Sequence, residues 1–324
     1  MEKTNSLFNV LHFNFCNNLV RWQRTTIHLF SILVMKHFLN KIAIFFIPVL
    51  LFFIITVTYF FYNRSKIEND LKKISQYECI IMGDSQMQRI NPEKFKLKTT
   101  NFASSGEHYF FTYKKLKMLT EFRENKIKQV VLGLSTHSFA PVYNKLINTN
   151  FAEGRASIVN FLYFVSSKED NFIQKSDFFS KSIIQGIYKG PELNGLYISK
   201  KKNPDPTIVN KAFIQHFGTK KNIKPNYESQ LKYLLLIAKL CDENNIDLIF
   251  VSTPYHSLYK KQIEKNYFKI LNQTINIIPK ARYISFLKDS ISPELMSDGN
   301  HLNSSGGDIY SKKINNFIVE NNKY

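Results

Sequence analysis

Apolar and polar positions divide the chain into distinct stretches. From Ile42 to Tyr62 it reads IAIFFIPVLLFFIITVTYFFY, with no charged residue. A helix of about 20 apolar residues spans a bilayer core at 1.5 Å per residue, so this run predicts one transmembrane helix. Pro48 is tolerated inside such a helix, and Tyr59 and Tyr62 suit the interfacial belt. A cleavable signal would be shorter and end in small residues. This run ends Tyr-Phe-Phe-Tyr and is expected to remain as an anchor to the lipid bilayer. Residues 63–75 are polar and charged and read as a stalk.

Beyond the stalk, residues 76–324 alternate short apolar runs with longer amphipathic ones. Strands are predicted at Glu78–Met82, Thr100–Ala103, Gln129–Leu132, Asp247–Val251 and Arg282–Phe286. Helices are predicted at His108–Arg123, Tyr227–Glu243, Tyr255–Leu271 and Ser305–Val319. In Tyr227–Glu243 one face carries Leu231, Leu234, Leu235, Ala238 and Cys241. Strands alternating with helices imply parallel pairing through right-handed crossovers. The expected fold class is therefore α/β, a three-layer doubly wound parallel sheet preceded by one transmembrane helix. The stretch of about 140–225 breaks this rhythm with Asn, Lys, Ser, Phe, Pro and Gly, and reads as an insertion over the sheet.

Residues 1–41 form an N-terminal tail. Met35-Lys-His-Phe-Leu-Asn-Lys41 followed by the apolar run is a complete signal-anchor start, which makes 1–34 an overextended start. The alternative is a short interfacial helix using Trp22, Phe30 and Leu33. Lys36 and Lys41 flank one side of the span, and Arg64, Lys66, Lys72 and Lys73 the other, so the flanking charges do not support an inside N-terminus. The signal-anchor pattern and the chemistry downstream still favour an extracytoplasmic domain.

Charge changes the picture little. The net charge is +19, which is compatible with nucleic acid, anionic lipid or acidic glycan. The lysines are scattered, without a run of five or six, and accompany abundant Asn, Ile and Phe, as in an A+T-rich genome. No nucleic-acid partner is expected. Of the three cysteines, Cys79 and Cys241 lie in apolar stretches and read as small buried hydrophobes. Neither metal-ligand spacing nor a cofactor motif is present, so no metal and no cofactor are expected.

Candidate chemistry collects after the strands, where open parallel sheets place their sites. Gly83-Asp84-Ser85-Gln86 follows the first strand, Ser104-Ser105-Gly106-Glu107-His108 the second, and Gly133-Leu134-Ser135-Thr136-His137 the third. Thr253-Pro254-Tyr255-His256 follows the fourth, and Ser297-Asp298-Gly299-Asn300-His301 precedes the last helix. A serine nucleophile needs a base and a group that orients the base, and Ser85, His301 and Asp298 supply these types. Taken singly, Gly-Asp-Ser and Asp-Gly are ordinary turn and cap sequences. Their joint placement on a strand–helix series is what points to catalysis. His108, His137 and His256 sit at the same edge as candidate substrate contacts. Arg155 has no partner that the sequence identifies. Phe161, Tyr163, Phe164, Phe178 and Phe179 in the insertion could pack on the sheet or stack on sugars.

From Glu78 to Val319 the sequence resembles the SGNH, or GDSL-type, hydrolase superfamily. The matching pieces are Gly83-Asp84-Ser85, the glycine of Asn101-Phe-Ala-Ser-Ser-Gly106, and Asp298-Gly-Asn-His301. The resemblance implies a flavodoxin-like SGNH fold in which Ser85 attacks an ester carbonyl, His301 moves the proton and Asp298 holds His301. It implies an oxyanion hole from Ser85 and Gly106, with Ser135 standing where the family usually has an Asn. Looser, membrane-anchored relatives with this departure modify polysaccharides. The implied function is an O-acyl esterase or O-acyltransferase on cell-envelope or secreted polysaccharide, with a membrane acyltransferase as a possible partner. The alternative is a non-catalytic protein of the same fold that binds glycan or a membrane partner.

Overall fold

The computed structural model describes residues 34–55, 57–59, 61–62, 65–66, 68–143, 195–219 and 227–321. Trp22, Phe30, Leu33, Arg155, Phe161, Tyr163, Phe164, Phe178 and Phe179 lie outside the described residues. The chain divides into two compact units, Met1–Tyr62 and Asn63–Tyr324.

The first unit contains α1, Val34–Tyr59, a helix long and apolar enough to cross a membrane. It begins before the uncharged run, so Lys36 and Lys41 lie on its first turns. Ile44, Phe45, Phe52 and Ile55 are exposed along it.

The second unit is built on a five-stranded, all-parallel sheet in the order β2-β1-β3-β4-β5. The strands are β1 Cys79–Met82, β2 Thr99–Asn101, β3 Gln129–Gly133, β4 Asp247–Ser252 and β5 Arg282–Ser285. Each coincides with an expected strand to within two residues at either end. Beyond the stalk, whose residues 68–74 are helical, its helices among the described residues are α2 Tyr109–Thr120, α3 Pro206–Phe217, α4 Glu228–Glu243, α5 Ser257–Gln262, α6 Lys265–Asn276 and α7 Ser304–Asn321. The expected helix Tyr255–Leu271 is thus two helices. Ile263 leaves the helical region at φ −72°, ψ 125° to enter the core, and Glu264 starts the next helix from extended backbone. Tyr255 precedes both and is buried.

The central strands β1, β3 and β4 are buried on both faces, as short uninterrupted apolar strands require, while the edge strands β2 and β5 are only partly buried. Cys79, Ile81, Val131, Ile249 and Val251 face one core with Tyr310, Ile314 and Ile318 of α7. By alternation Ile80, Met82, Val130, Leu132, Leu248 and Phe250 face the other side, and they too are buried. There α2 and α4 pack on each other, and α4 packs on β4. Cys79 and Cys241 are free thiols in these interiors, and burial pushes both up to about 12. The end of the stalk belongs to this unit: Leu71 is fully buried, and Ser75 O accepts from Lys126 N at 2.8 Å.

A 2-1-3-4-5 order reverses direction between β1 and β3, and the crevice beyond their C-terminal ends is where such sheets bind ligands. Gly83 and Gly133 end these two strands. A Cβ on Gly83 would lie 3.1 Å from Gly133 N, and its φ of +121° disfavours any side chain.

Candidate active site

Ser85 follows β1 in a turn that runs into a 3-10 helix at Met87–Arg89, where Met87 N and Gln88 N donate to Asp84 O. Gln86 locks the turn to the opposite end of the sequence: its Nε2 donates to Asn300 O at 3.0 Å, and its Oε1 accepts from Thr253 Oγ1 at 2.8 Å. The Asp298–His301 loop is therefore fastened directly beside the Ser85 turn. Gly307 lets α7 close against it, since a Cβ there would meet Arg89 O at 2.2 Å.

The geometry brings Ser85, His301 and Asp298 into one line. Ser85 Oγ lies 2.7 Å from His301 Nε2, and His301 Nδ1 lies 2.8 Å from Asp298 Oδ2. With Nδ1–H donating to the carboxylate, Nε2 is left to accept the Ser85 proton. Asp298 Oδ1 also accepts from Asn300 N and His301 N, both at 2.9 Å. Burial pushes the Asp298 carboxyl up, but His301 and these backbone donors outweigh it and hold it at about 2. The Asn300 side chain is buried beside the line, and neither of its polar atoms has a hydrogen-bond partner.

A second carboxylate–imidazole pair stands next to the first. Asp84 Oδ2 accepts from His137 Nε2 at 2.5 Å and from the Tyr143 hydroxyl at 2.7 Å, while Asp84 Oδ1 accepts from Gln86 N at 3.0 Å. On the far side, His137 Nδ1 is 3.0 Å from the Tyr255 hydroxyl, which is 3.0 Å from Thr136 Oγ1. Burial alone would raise the Asp84 pKa. The neighbouring His137 and the donors from Tyr143 and Gln86 overcome it and hold the carboxyl far below its usual range. His216, from α3, packs 5.3 Å from His137 between ring centroids and bonds the Tyr259 hydroxyl at 2.8 Å. Burial, then repulsion from His137 and His301, pushes His216 down to about 3.

The remaining sequence candidates are placed as follows. His137 is buried, committed to Asp84 and Tyr255, rather than open to substrate. His108 is fully buried; its Nδ1 caps α2 by accepting from Phe110 N, and its Nε2 lies 3.3 Å from Ser229 Oγ. Burial pushes it down to about 3. His256 caps α5 through Nδ1, accepting from Leu258 N at 3.2 Å. These three rings are spent on structure because the strand ends they follow dive straight into helix caps and core. Gly106 has φ +55° and is half-buried, and its loop is pinned by a buried Glu107–Lys115 ion pair. Ser135 is fully buried and its N–H donates to Ser138 Oγ at 3.1 Å, so that N–H is already engaged.

Sequence reading did not anticipate the Asp84 network, His216 or Arg89. A Gly-Asp-Ser turn shows where its serine stands but not what its aspartate touches, and His216 is a lone histidine on an amphipathic helix with no local signal. Compared with known proteins, the chain matches no protein-family model and no curated protein.

Proposed function

We propose that this protein is a membrane-anchored serine enzyme of the SGNH type, an O-acyl esterase or O-acyltransferase acting on a cell-envelope or secreted polysaccharide. The observation that carries the reading is the Ser85–His301–Asp298 line at the switch point of the parallel sheet. Ser85 Oγ attacks an acyl carbonyl as His301 Nε2 takes its proton. Asp298 stabilises the imidazolium, which then protonates the departing alkoxide oxygen as the acyl C–O bond breaks. Water or a sugar hydroxyl resolves the acyl-enzyme by the same route in reverse, giving hydrolysis or transfer.

The oxyanion falls to the N–H groups of Ser85 and Gly106. Ser135 supplies no amide side chain, and loss of one oxyanion donor costs about a hundredfold or more in rate. Slow chemistry suits a substrate held at high local concentration, where proximity replaces intrinsic rate. The apolar side chains exposed along α1 require lipid, which supports an anchor. An extracytoplasmic domain tethered there meets glycans as they are assembled and exported.

The test is the O-acetyl content of surface polysaccharide in wild type, in a deletion strain and in a Ser85→Ala strain. A transferase lowers acetyl in both mutants and an esterase raises it. Full rescue of the deletion by Ser85→Ala overturns the catalytic reading in favour of a glycan-binding role. An export-dependent reporter fused after Lys72 must be active, and activity of a cytoplasm-only reporter there reverses the topology.

A further inference from the structure

Four cations that the acyl chemistry does not use lie on segments that adjoin those bearing the triad. Arg89 ends the 3-10 turn that begins two residues after Ser85. Its guanidinium lies 4.2 Å from the centroid of the Tyr197 ring, and Nη1 donates to Tyr197 O at 3.3 Å. Its Nε is buried and has no hydrogen-bond partner. Residues 195–203 form a strap that carries Tyr197 and the exposed run Lys200-Lys201-Lys202.

The strap is fastened to both segments that bear the triad. Tyr197 N donates to Gln88 O at 2.7 Å, three positions after Ser85. Ser304 N donates to Ser199 O at 2.8 Å, and Asn303 Nδ2 to Lys201 O at 3.1 Å, just after His301. Asn203 N donates to Pro293 O at 3.2 Å. Among the described residues, none of these four cations forms an ion pair, whereas Lys94, Lys115, Lys128, Lys280, Arg282 and Lys313 all do. The carboxylate that acts on Arg89 through space is Asp298, which is committed to His301.

We propose that Arg89 and the 195–203 strap form an anion subsite that seats a carboxylate- or phosphate-bearing sugar next to Ser85, so that the polysaccharide is acidic. The proposal rests on the acyl-transfer reading for what happens at Ser85, but not for the binding itself. A planar guanidinium with unspent donors matches the oxygens of a carboxylate or phosphate. Stacking on Tyr197 holds it in one orientation, which lowers the entropy of recognition. The lysines add a longer-range attraction that salt screens. A bilayer surface would also attract the lysines, but a half-buried arginine stacked beside the triad favours the glycan.

The experiment uses the full chain in detergent and measures binding of three probes: an oligogalacturonate, a polyglycerol phosphate and a neutral dextran oligomer. One or both acidic probes are expected to bind, more weakly as salt rises, and the neutral one to bind at least tenfold more weakly. Arg89→Met is expected to weaken acidic binding about tenfold, as loss of a charge-assisted contact does. Replacement of Lys200, Lys201 and Lys202 by Gln touches only exposed side chains and is expected to flatten the salt dependence. Equal binding of acidic and neutral probes, or acidic binding unchanged in both variants, overturns the subsite. Weakened association with phosphatidylglycerol nanodiscs and unchanged glycan binding in both variants overturns it in favour of a lipid surface. Ser85→Ala separates the two readings: if it leaves acylation unchanged while acidic binding still depends on Arg89, the acyl-transfer reading fails and the subsite stands.

Discussion

Two aspartate–histidine pairs stand side by side at the end of β1, and they differ in where their protons can go. In the Asp298–His301 pair the imidazole ends on Ser85 Oγ, and the side chains are 25% and 15% exposed. In the Asp84–His137 pair the imidazole ends on the Tyr255 hydroxyl, and the side chains are 9% and 2% exposed. The first has the Ser85 hydroxyl at one end and an opening to solvent. The second is closed at both ends by tyrosines, Tyr143 and Tyr255, so its proton has no productive acceptor. The same two residue types therefore face a serine hydroxyl in one place and hold a turn rigid in the other. Asp84 and Ser85 are consecutive, so the buried pair positions the turn that carries Ser85 to the open pair.

The sharpest way to break this comparison is in the open pair. On the proposed acyl-transfer reading, Ser85→Ala or His301→Ala is expected to lower the rate by about 10⁶, and Asp298→Asn by about 10⁴, the scale of loss known for serine-protease triads. Labelling of the full chain by a serine-directed phosphonate should vanish in Ser85→Ala with folding intact. Equal labelling of both proteins would remove Ser85 from the chemistry.

The buried pair should respond in stability instead. His137→Phe strands a buried carboxylate and is expected to cost ~3–5 kcal/mol in denaturant unfolding. Adding Asp84→Leu should recover part of that loss, because an apolar pair of similar volume removes the unpaired charge. The recovery stays partial, since Gln86 N and Tyr143 also lose their acceptor. If His137→Phe folded normally and stopped phosphonate labelling, the second pair would have to be counted in the chemistry.

Gly83→Ala probes the turn that carries both Asp84 and Ser85. At φ +121° and 3.1 Å from Gly133 N, an added methyl is expected to cost ~1–3 kcal/mol. The measurement is again the unfolding midpoint, and an unchanged value would mean that the turn relaxes freely.

The smallest effect concerns pH and His108, which has an ordinary value of 6.5 and is pushed by burial to about 3. A group held neutral in the folded chain takes up protons more readily once unfolded. Stability therefore falls as pH drops below 6.5 and goes on falling to about 3. Asp298 acts in the same direction lower on the pH scale: its contribution is full above the ordinary carboxylate value of 3.8 and is lost as pH falls from there to about 2. His108→Asn keeps an α2 cap and should reduce the stability lost between pH 7 and pH 5. An identical loss in the variant would assign acid lability elsewhere, with His216 the next group to replace.

By itself the sequence determined the strand–helix rhythm, because short apolar runs and 3.6-residue periodicity are local properties. It also placed the long apolar helix and marked Ser85, Asp298 and His301, whose turns announce themselves through Gly, Asp and Ser. Tertiary structure decided what each histidine does. His108, His137, His256 and His301 all follow strands or precede helices, and nothing local separates them. Only packing spends His108 and His256 on helix caps, seals His137 between Asp84 and Tyr255, and leaves His301 Nε2 facing Ser85. The break at Ile263 was invisible for the same reason, since an apolar residue in a helical pattern shows no preference until the core claims it. Arg89 and the 195–203 strap meet across a long sequence gap. A contact of that kind follows from the order in which the strands assemble, and no local pattern encodes it.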